Sequence, residues 1–226
     1  MSEYTVPAIF AILNRVQYEA ILFDFDGVLV DSEPVHCECW QEILKPYGLK
    51  LDWKTYREHG IGAADRLLLA RLCQQVSPPA DLERLIAEYP RKRDLFQTRM
   101  LEREAFSPDV LELIRQLSEY QLAVVTSSGR TEVESILIRA GIREYFRVAV
   151  FGGDVKKHKP DPEPYLLAVE KLGVRTALVV EDSDVGVASA AAAGLDVLRI
   201  HEPSEMPARL RERLGLNGSA GSPGTV

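Results

Sequence analysis

Two carboxylates, Asp24 and Asp26, close the apolar run of ILFDFDGVLVDS, residues 21–32, just ahead of Gly27. Side chains two apart on a strand share a face, so both acids belong to one site. At roughly 5 Å and an effective dielectric near 20, two ionised carboxylates repel by about 3 kcal/mol, which a fold tolerates only with a cation or a shared proton. A solvated turn would carry the pair freely, but the flanking run is too apolar to lie at a surface.

A second acidic pair, Glu181 and Asp182, ends TALVVEDSDVG, residues 176–186, with Asp184 placed to cap the helix that follows. Between the two pairs stands VVTSSGR, residues 124–130, where Thr126, Ser127 and Ser128 fall beside a helix start. Hydroxyls and free N–H groups at a helix N-terminus suit a phosphate, although Ser/Thr clusters also cap helices with no ligand at all. In VKKHKPDPEPY, residues 155–165, Lys159 precedes a proline and so sits on a constrained loop, where it can set a charge against an anion. Lys156, Lys157 and His158 read as a solvated basic run. Four carboxylates gathered in one place call for a divalent cation, and an all-oxygen donor set selects Mg²⁺, which keeps waters and meets phosphate.

The elements that must position these groups are legible from hydrophobic patterning. Strands are expected at Ala20 to Asp24, Leu122 to Thr126, Val148 to Phe151, Ala177 to Glu181 and Val197 to Ile200, each nearly continuous in apolar residues. Strands buried on both faces and separated by helices make a doubly wound parallel α/β sheet, in which ligands bind beyond the carboxyl ends of the strands. Residues 33–105 contain no strand pattern but several helical ones: Pro34 to Lys45, Asp65 to Gln75 and one long helix from about Asp81 to Arg103. This reads as an inserted helical module. Ser107 and Pro108 are an N-cap and first helical residue, Thr131 with Glu134 forms a capping box, and Gly141, Gly173 and Gly194 stop helices.

The chain has 226 residues, 46% of them hydrophobic, enough for a large core without disulfides. Its three cysteines fit a reducing cytoplasm. Cys37 and Cys39 lie on different faces of a helix, which excludes a shared metal, and Cys73 reads as a small buried hydrophobe. A net charge of −7 argues against nucleic acid or an anionic membrane as partner. Val6 to Leu13 is too short to span a bilayer and reads as a docked arm, and the Gly/Ser-rich stretch from Gly215 to Val226 as a disordered tail.

Taken together, DFDGVLVDS, VVTSSGR, KPDPEPY and VVEDSDVG resemble the four motifs of the haloacid dehalogenase-like superfamily, in the branch whose helical cap is inserted after the first motif. The resemblance spans residues 19 to about 200. It implies a Rossmann-like core formed by 19–31 and 108–214, a cap at 32–107, an N-terminal extension at 1–18 and a tail at 215–226, with hinges near 31–33 and 105–108. It further implies that Asp24 is a nucleophile forming an aspartyl-phosphate and that Asp26 gives and then takes a proton. Lys159, the Thr126 hydroxyl and the Ser127 amide would hold the phosphoryl oxygens. Mg²⁺ would be held by Asp24, the Asp26 backbone carbonyl and Asp182, with Glu181 direct or through water. The activity so implied is hydrolysis of a small phosphomonoester, a sugar phosphate or phosphoglycolate-like metabolite, by a monomer.

Asp26 disfavours dehalogenation, because the dehalogenating members this chain resembles lack an acid two residues after the nucleophile. A phosphosugar mutase similar to beta-phosphoglucomutase is the alternative. His36, twelve residues after Asp24, stands where those enzymes place a histidine, or it simply packs on Trp40 one turn later. That branch also carries a cap-loop arginine, whereas the loop here is GIGAADR, residues 60–66, with alanine at that place and Arg66 as the nearest substitute. The cap is neutral, with 12 basic and 12 acidic residues over 32–107, leaving 15 against 22 in the remainder. Arg91, Lys92 and Arg93 read as a solvated helix face. Two non-enzymatic readings compete: a receiver-like phospho-accepting domain, which would not carry acids on two strands and a large insert, and an inactive binding module, which would have lost a motif residue.

Overall fold

The computed structural model describes residues 18–61 and 65–216. Five parallel strands, β1 (Ala20–Phe23), β2 (Gln121–Val125), β3 (Phe146–Val150), β4 (Ala177–Glu181) and β5 (Asp196–Arg199), lie in the order β3-β2-β1-β4-β5. Among the described residues the α-helices, in chain order, are α1 (Glu33–Leu44), α2 (Trp53–His59), α3 (Asp65–Cys73), α4 (Leu82–Ile86), α5 (Tyr89–Glu102), α6 (Pro108–Gln116), α7 (Arg130–Arg139), α8 (Glu163–Leu172), α9 (Asp184–Ala192) and α10 (Met206–Arg213). The fold is the expected doubly wound α/β sheet with a helical cap.

Both faces of the sheet are covered, which is why its strands lack polar alternation. Ile21, Phe23, Leu122, Val124, Leu178 and Val180 pack against α6, α7 and α10, whereas Ala20, Leu22, Ala123, Val125 and Val179 pack against Tyr165, Ala168 and Leu172 of α8 and Ala190 of α9. Each such large apolar side chain contributes about 1.5–3 kcal/mol relative to exposure. The register aligns Phe23 with Val124 and with Val180, so β1, β2 and β4 end at one level. Asp24 continues that level, its N–H donating to the Val180 carbonyl at 3.0 Å.

Helices α1 to α4 form a core of their own, with Trp40, Ile43, Tyr56, Leu68, Leu69 and Leu85 buried together. Helix α5 joins the two bodies: Phe96 and Met100 are buried with the sheet's apolar cluster, and Gln97 Nε2 donates to Ser135 Oγ of α7 at 3.2 Å. Cys37 belongs to the cap core and Cys39 to the sheet's cluster, as their two-residue spacing requires, and Cys73 is buried in the cap.

Several local expectations are corrected. The long helix over 81–103 is two helices, because Pro90 starts a second one and the Asp81 side chain caps the first. Helices α2 and α10 were not foreseen, although the Asp52 carboxylate accepting from Thr55 N at 2.7 Å is an ordinary N-cap. Helix α7 begins two residues earlier than Thr131 and Glu134 suggest: Gly129 is its N-cap, and its N–H donates to the Glu132 carboxylate. Ser183, not Asp184, caps α9, accepting from Gly186 N at 3.1 Å. Ser107 caps α6 as expected, and Gly141, Gly173 and Gly194 follow their helices with positive φ. The expected docked arm at Val6 to Leu13, positions 62–64 of the cap loop and the tail beyond 216 lie outside the described residues. Among the described residues no helix is long and apolar enough to cross a membrane.

Candidate active site

At the carboxyl ends of β1 and β4 the structure gathers Asp24, Glu181 and Asp182, with one carboxylate oxygen of each within 4.8 Å of the others. The backbone brings them this close because Gly27 has no side chain. A Cβ there would stand 2.1 Å from Asp182 Oδ2, and its φ of +75° lies in the left-handed region. Gly186 does the same for Glu181, since a Cβ on it would meet Oε1 at 1.8 Å.

Lys159 reaches into this cluster from the loop ahead of α8, its side chain 5% exposed. Its Nζ donates to Asp24 Oδ1 at 3.0 Å, to Glu181 Oε1 at 2.6 Å and to the Val125 carbonyl at 3.0 Å. Burial opposes its charge, but Asp24 and Glu181 outweigh burial and hold the ammonium above the usual lysine range. Glu181 is fully engaged: Oε1 also accepts from the Tyr165 hydroxyl at 2.7 Å, and Oε2 from the Asp182 and Ser183 amides and the Ser183 hydroxyl. One ammonium does not neutralise three acids. Burial pushes the Asp24 carboxyl well above the usual carboxylate range, Lys159 opposing and Glu181, Asp26 and Asp182 adding to it; burial and then Glu181 push Asp182 up to about 6. An oxygen-only donor set with a deficit of positive charge fits a hard divalent cation.

Asp26 does not join this cluster. Ser32 Oγ donates to its Oδ1 and Ser128 Oγ to its Oδ2, both at 2.6 Å, and His36 Nε2 lies 3.9 Å from Oδ1. Ser32 is the fully buried residue at the N-terminus of α1, so the orientation of Asp26 depends on where the cap begins. Thr126 is buried, and its Oγ1 accepts from Ser128 N at 3.0 Å, shaping the turn in which Ser127 and Ser128 face a cleft of about 630 Å³ between cap and core. His36 stacks on Phe96, ring centroids 3.9 Å apart, rather than on Trp40.

Lys92 corrects the expectation of a solvated basic face. It is 8% exposed, and its Nζ lies 2.7 Å from His36 Nδ1 and 3.9 Å from Asp65 Oδ2, while Arg91 and Arg93 remain exposed. Burial and then the Lys92 charge lower the His36 pKa to about 4, so the imidazole is neutral at pH 7. Lys156, Lys157 and His158 are exposed as expected, and Arg66 pairs with Glu83 of α4.

Glu33, the first residue of α1, also faces the cleft and was not singled out by its sequence position. Burial raises its pKa from 4.5 to about 7. A native carboxyl pKa above the unfolded value means the native state binds more protons in that interval, so stability falls as pH rises from about 4.5 to 7. Glu33→Gln, which keeps the acceptor for Tyr56, is therefore expected to match wild type at pH 4.5 and exceed it by about 2–3 kcal/mol at pH 8. Urea unfolding at the two pH values measures this. A difference independent of pH would contradict it.

With this geometry in view, comparison with known proteins places the chain. The family model described as "Haloacid dehalogenase-like hydrolase" matches residues 21–200, and the protein belongs to that family. It is 33% identical to a phosphorylated carbohydrates phosphatase of Thermotoga maritima over 79% of this chain and 82% of the relative. It is 31% identical to the fructose-1-phosphate phosphatase YqaB of Escherichia coli, over 81% of this chain and 97% of the relative. Among solved structures, CbbY from Rhodobacter sphaeroides in complex with phosphate superposes with a TM-score of 0.68 at 32% identity, covering 81% of this chain and 86% of that one. The expected family membership, fold and enzyme class thus stand.

Proposed function

We propose that the protein is a Mg²⁺-dependent phosphatase that hydrolyses a small phosphomonoester through an aspartyl-phosphate on Asp24. The observation that carries this reading is the meeting of Asp24 with Lys159 at 3.0 Å and with Asp182 inside one acidic cluster at adjacent strand ends. The activities named for the relatives support it.

Asp24 and Asp182 would hold the ion together with the Asp26 backbone carbonyl, and Glu181, saturated by its own donors, would act chiefly by fixing Lys159. When bound there, the ion would supply positive charge that favours the ionised form of Asp24 and offsets the charge of the phosphoryl group. The Asp24 carboxylate attacks phosphorus, and Lys159 and Thr126 hold the oxygens on which charge spreads. Asp26, oriented by Ser32 and Ser128, gives its proton to the departing alkoxide oxygen. It then takes a proton from the water that cleaves the acyl phosphate, returning Asp24 to a carboxylate and releasing phosphate. The cap, with boundaries at 32 and 107 and hinges at 31–33 and 105–108, closes the cleft against bulk water. His36 beside Asp26 favours a mutase as the second reading, but Arg66, the substitute for the missing loop arginine, is engaged by Glu83.

The test is phosphate release from a panel of phosphorylated metabolites with Mg²⁺ and with EDTA. Mg²⁺ is expected to raise release at least about 100-fold, because it stabilises transition-state charge worth several kcal/mol. Equal rates with and without Mg²⁺ would overturn the metal assignment, and isomerisation of a hexose 1-phosphate outpacing its hydrolysis would favour the mutase.

A further inference from the structure

The cleft leading to Asp26 has a one-sided wall. Among the described residues four carboxylates, Asp26, Glu33, Asp65 and Glu132, face it together with two cations, Lys92 and Arg93. Both cations are already engaged, Lys92 by His36 and Asp65, and Arg93 by Asp94, whose Oδ1 accepts from its Nη2 at 3.1 Å. A carboxylate on the carbon skeleton of a substrate would therefore meet like charge, or would have to pull a cation from its partner.

Two groups on this wall have an oxygen to spare, Glu132, whose Oε2 accepts from Gly129 N at the start of α7, and Glu33, which stands on the cap side of the cleft and is braced by a second side chain. Glu33 Oε2 accepts from the Tyr56 hydroxyl at 2.8 Å, while among the described residues its Oε1 has no hydrogen-bond partner. Tyr56 is buried in the cap core and stacks on Trp53, so it fixes the carboxyl from behind. With a pKa of about 7, the Glu33 carboxyl can both accept and donate a hydrogen bond at neutral pH. A substrate hydroxyl can pair with either form, whereas a substrate carboxylate can pair only with the protonated form and is repelled by the ionised one and by the acids beside it, Asp65 and Glu132.

We propose that Glu33, braced by Tyr56, determines specificity by hydrogen-bonding a hydroxyl on the carbon skeleton of the phosphomonoester and by repelling a carboxylate in that place. The substrate class is accordingly a neutral polyhydroxy phosphomonoester rather than a phosphorylated hydroxy acid. This deepens the phosphatase reading and rests on it.

Three probes separate the two: fructose 1-phosphate bears hydroxyls, phosphoglycolate bears a carboxylate, and acetyl phosphate bears neither. With Mg²⁺, wild type is expected to prefer fructose 1-phosphate over phosphoglycolate by about 100-fold in kcat/KM, the discrimination a buried hydrogen-bonding group can impose. Glu33→Ala should lower kcat/KM for fructose 1-phosphate by about 30-fold or more. Glu33→Gln, which preserves size and the Tyr56 contact, should keep most of that activity. In both variants phosphoglycolate hydrolysis should rise, so the preference ratio collapses. A ratio within threefold of wild type in Glu33→Gln, or a wild-type preference for phosphoglycolate, overturns the proposal. Failure of wild type to release phosphate from any of the three, acetyl phosphate included, overturns the phosphatase reading itself.

Discussion

Asp24→Asn is expected to lower kcat for phosphate release by at least about 10⁴-fold while leaving the chain folded, since an amide cannot form the acyl phosphate. Asn keeps the size of Asp and can still accept from Lys159. It also removes one charge from a cluster in which three acids share a single ammonium, so the melting temperature in EDTA should rise rather than fall. Acid-quenched wild type exposed to radiolabelled substrate should retain label, and the variant none. Equal turnover by the two proteins would remove Asp24 from the role of nucleophile.

Loss of Lys159 should act on the fold as strongly as on the chemistry. Its ammonium is enclosed and bonded to Asp24, Glu181 and a backbone carbonyl, so Lys159→Met leaves two buried acids and an acceptor without their donor. Removing one partner of a buried ion pair costs about 3–5 kcal/mol. A lysine held above its ordinary pKa stabilises fully at pH values below the unfolded value and loses that contribution only as pH climbs through the higher native one. The wild-type advantage should hence persist from pH 7 to beyond pH 10. Below pH 6 it should shrink, because Asp182 takes up its proton there. Urea unfolding across this range tests the pattern, and a gap of less than about 1 kcal/mol at pH 7 would show the ammonium to be dispensable to the fold.

Most of the core was legible in the sequence because its strands are covered on both faces, and double coverage demands unbroken apolar runs that no loop or amphipathic helix imitates. The acids at their ends were legible for a related reason: a charge directly after such a run has nowhere to go but the rim of the sheet. Lys92 was not legible. In RKR it sits between two arginines, and only the stacking of Phe96 on His36 and the approach of α1 to α5 turn that one side chain inward. Ser32 was hidden likewise, a plausible residue at a helix start, and Ser128 stood out only as a hydroxyl beside a helix until both are seen on the two oxygens of Asp26. The break at Pro90 did leave a mark, a proline placed where a helix begins, yet the surrounding polar residues favour helix on either side and mask the join. Glycine at the start of α7 offers no side chain to recognise, and only Glu132 three positions later marks the end.

Among the described residues the middle strand of the sheet, β1, precedes the others in the chain, and its neighbours begin at Gln121 and Ala177. A growing chain on the ribosome therefore carries the AILF segment with no strand to pair with until the whole cap has emerged, and with only one neighbour until Glu181 follows. Such long-range pairing slows folding and leaves an apolar edge open to chaperones or to aggregation. The same ordering has a protective side: Asp24 cannot meet Asp182 until β4 has been made, so a nascent chain that stops within the cap or the first crossovers carries only half of the acidic cluster.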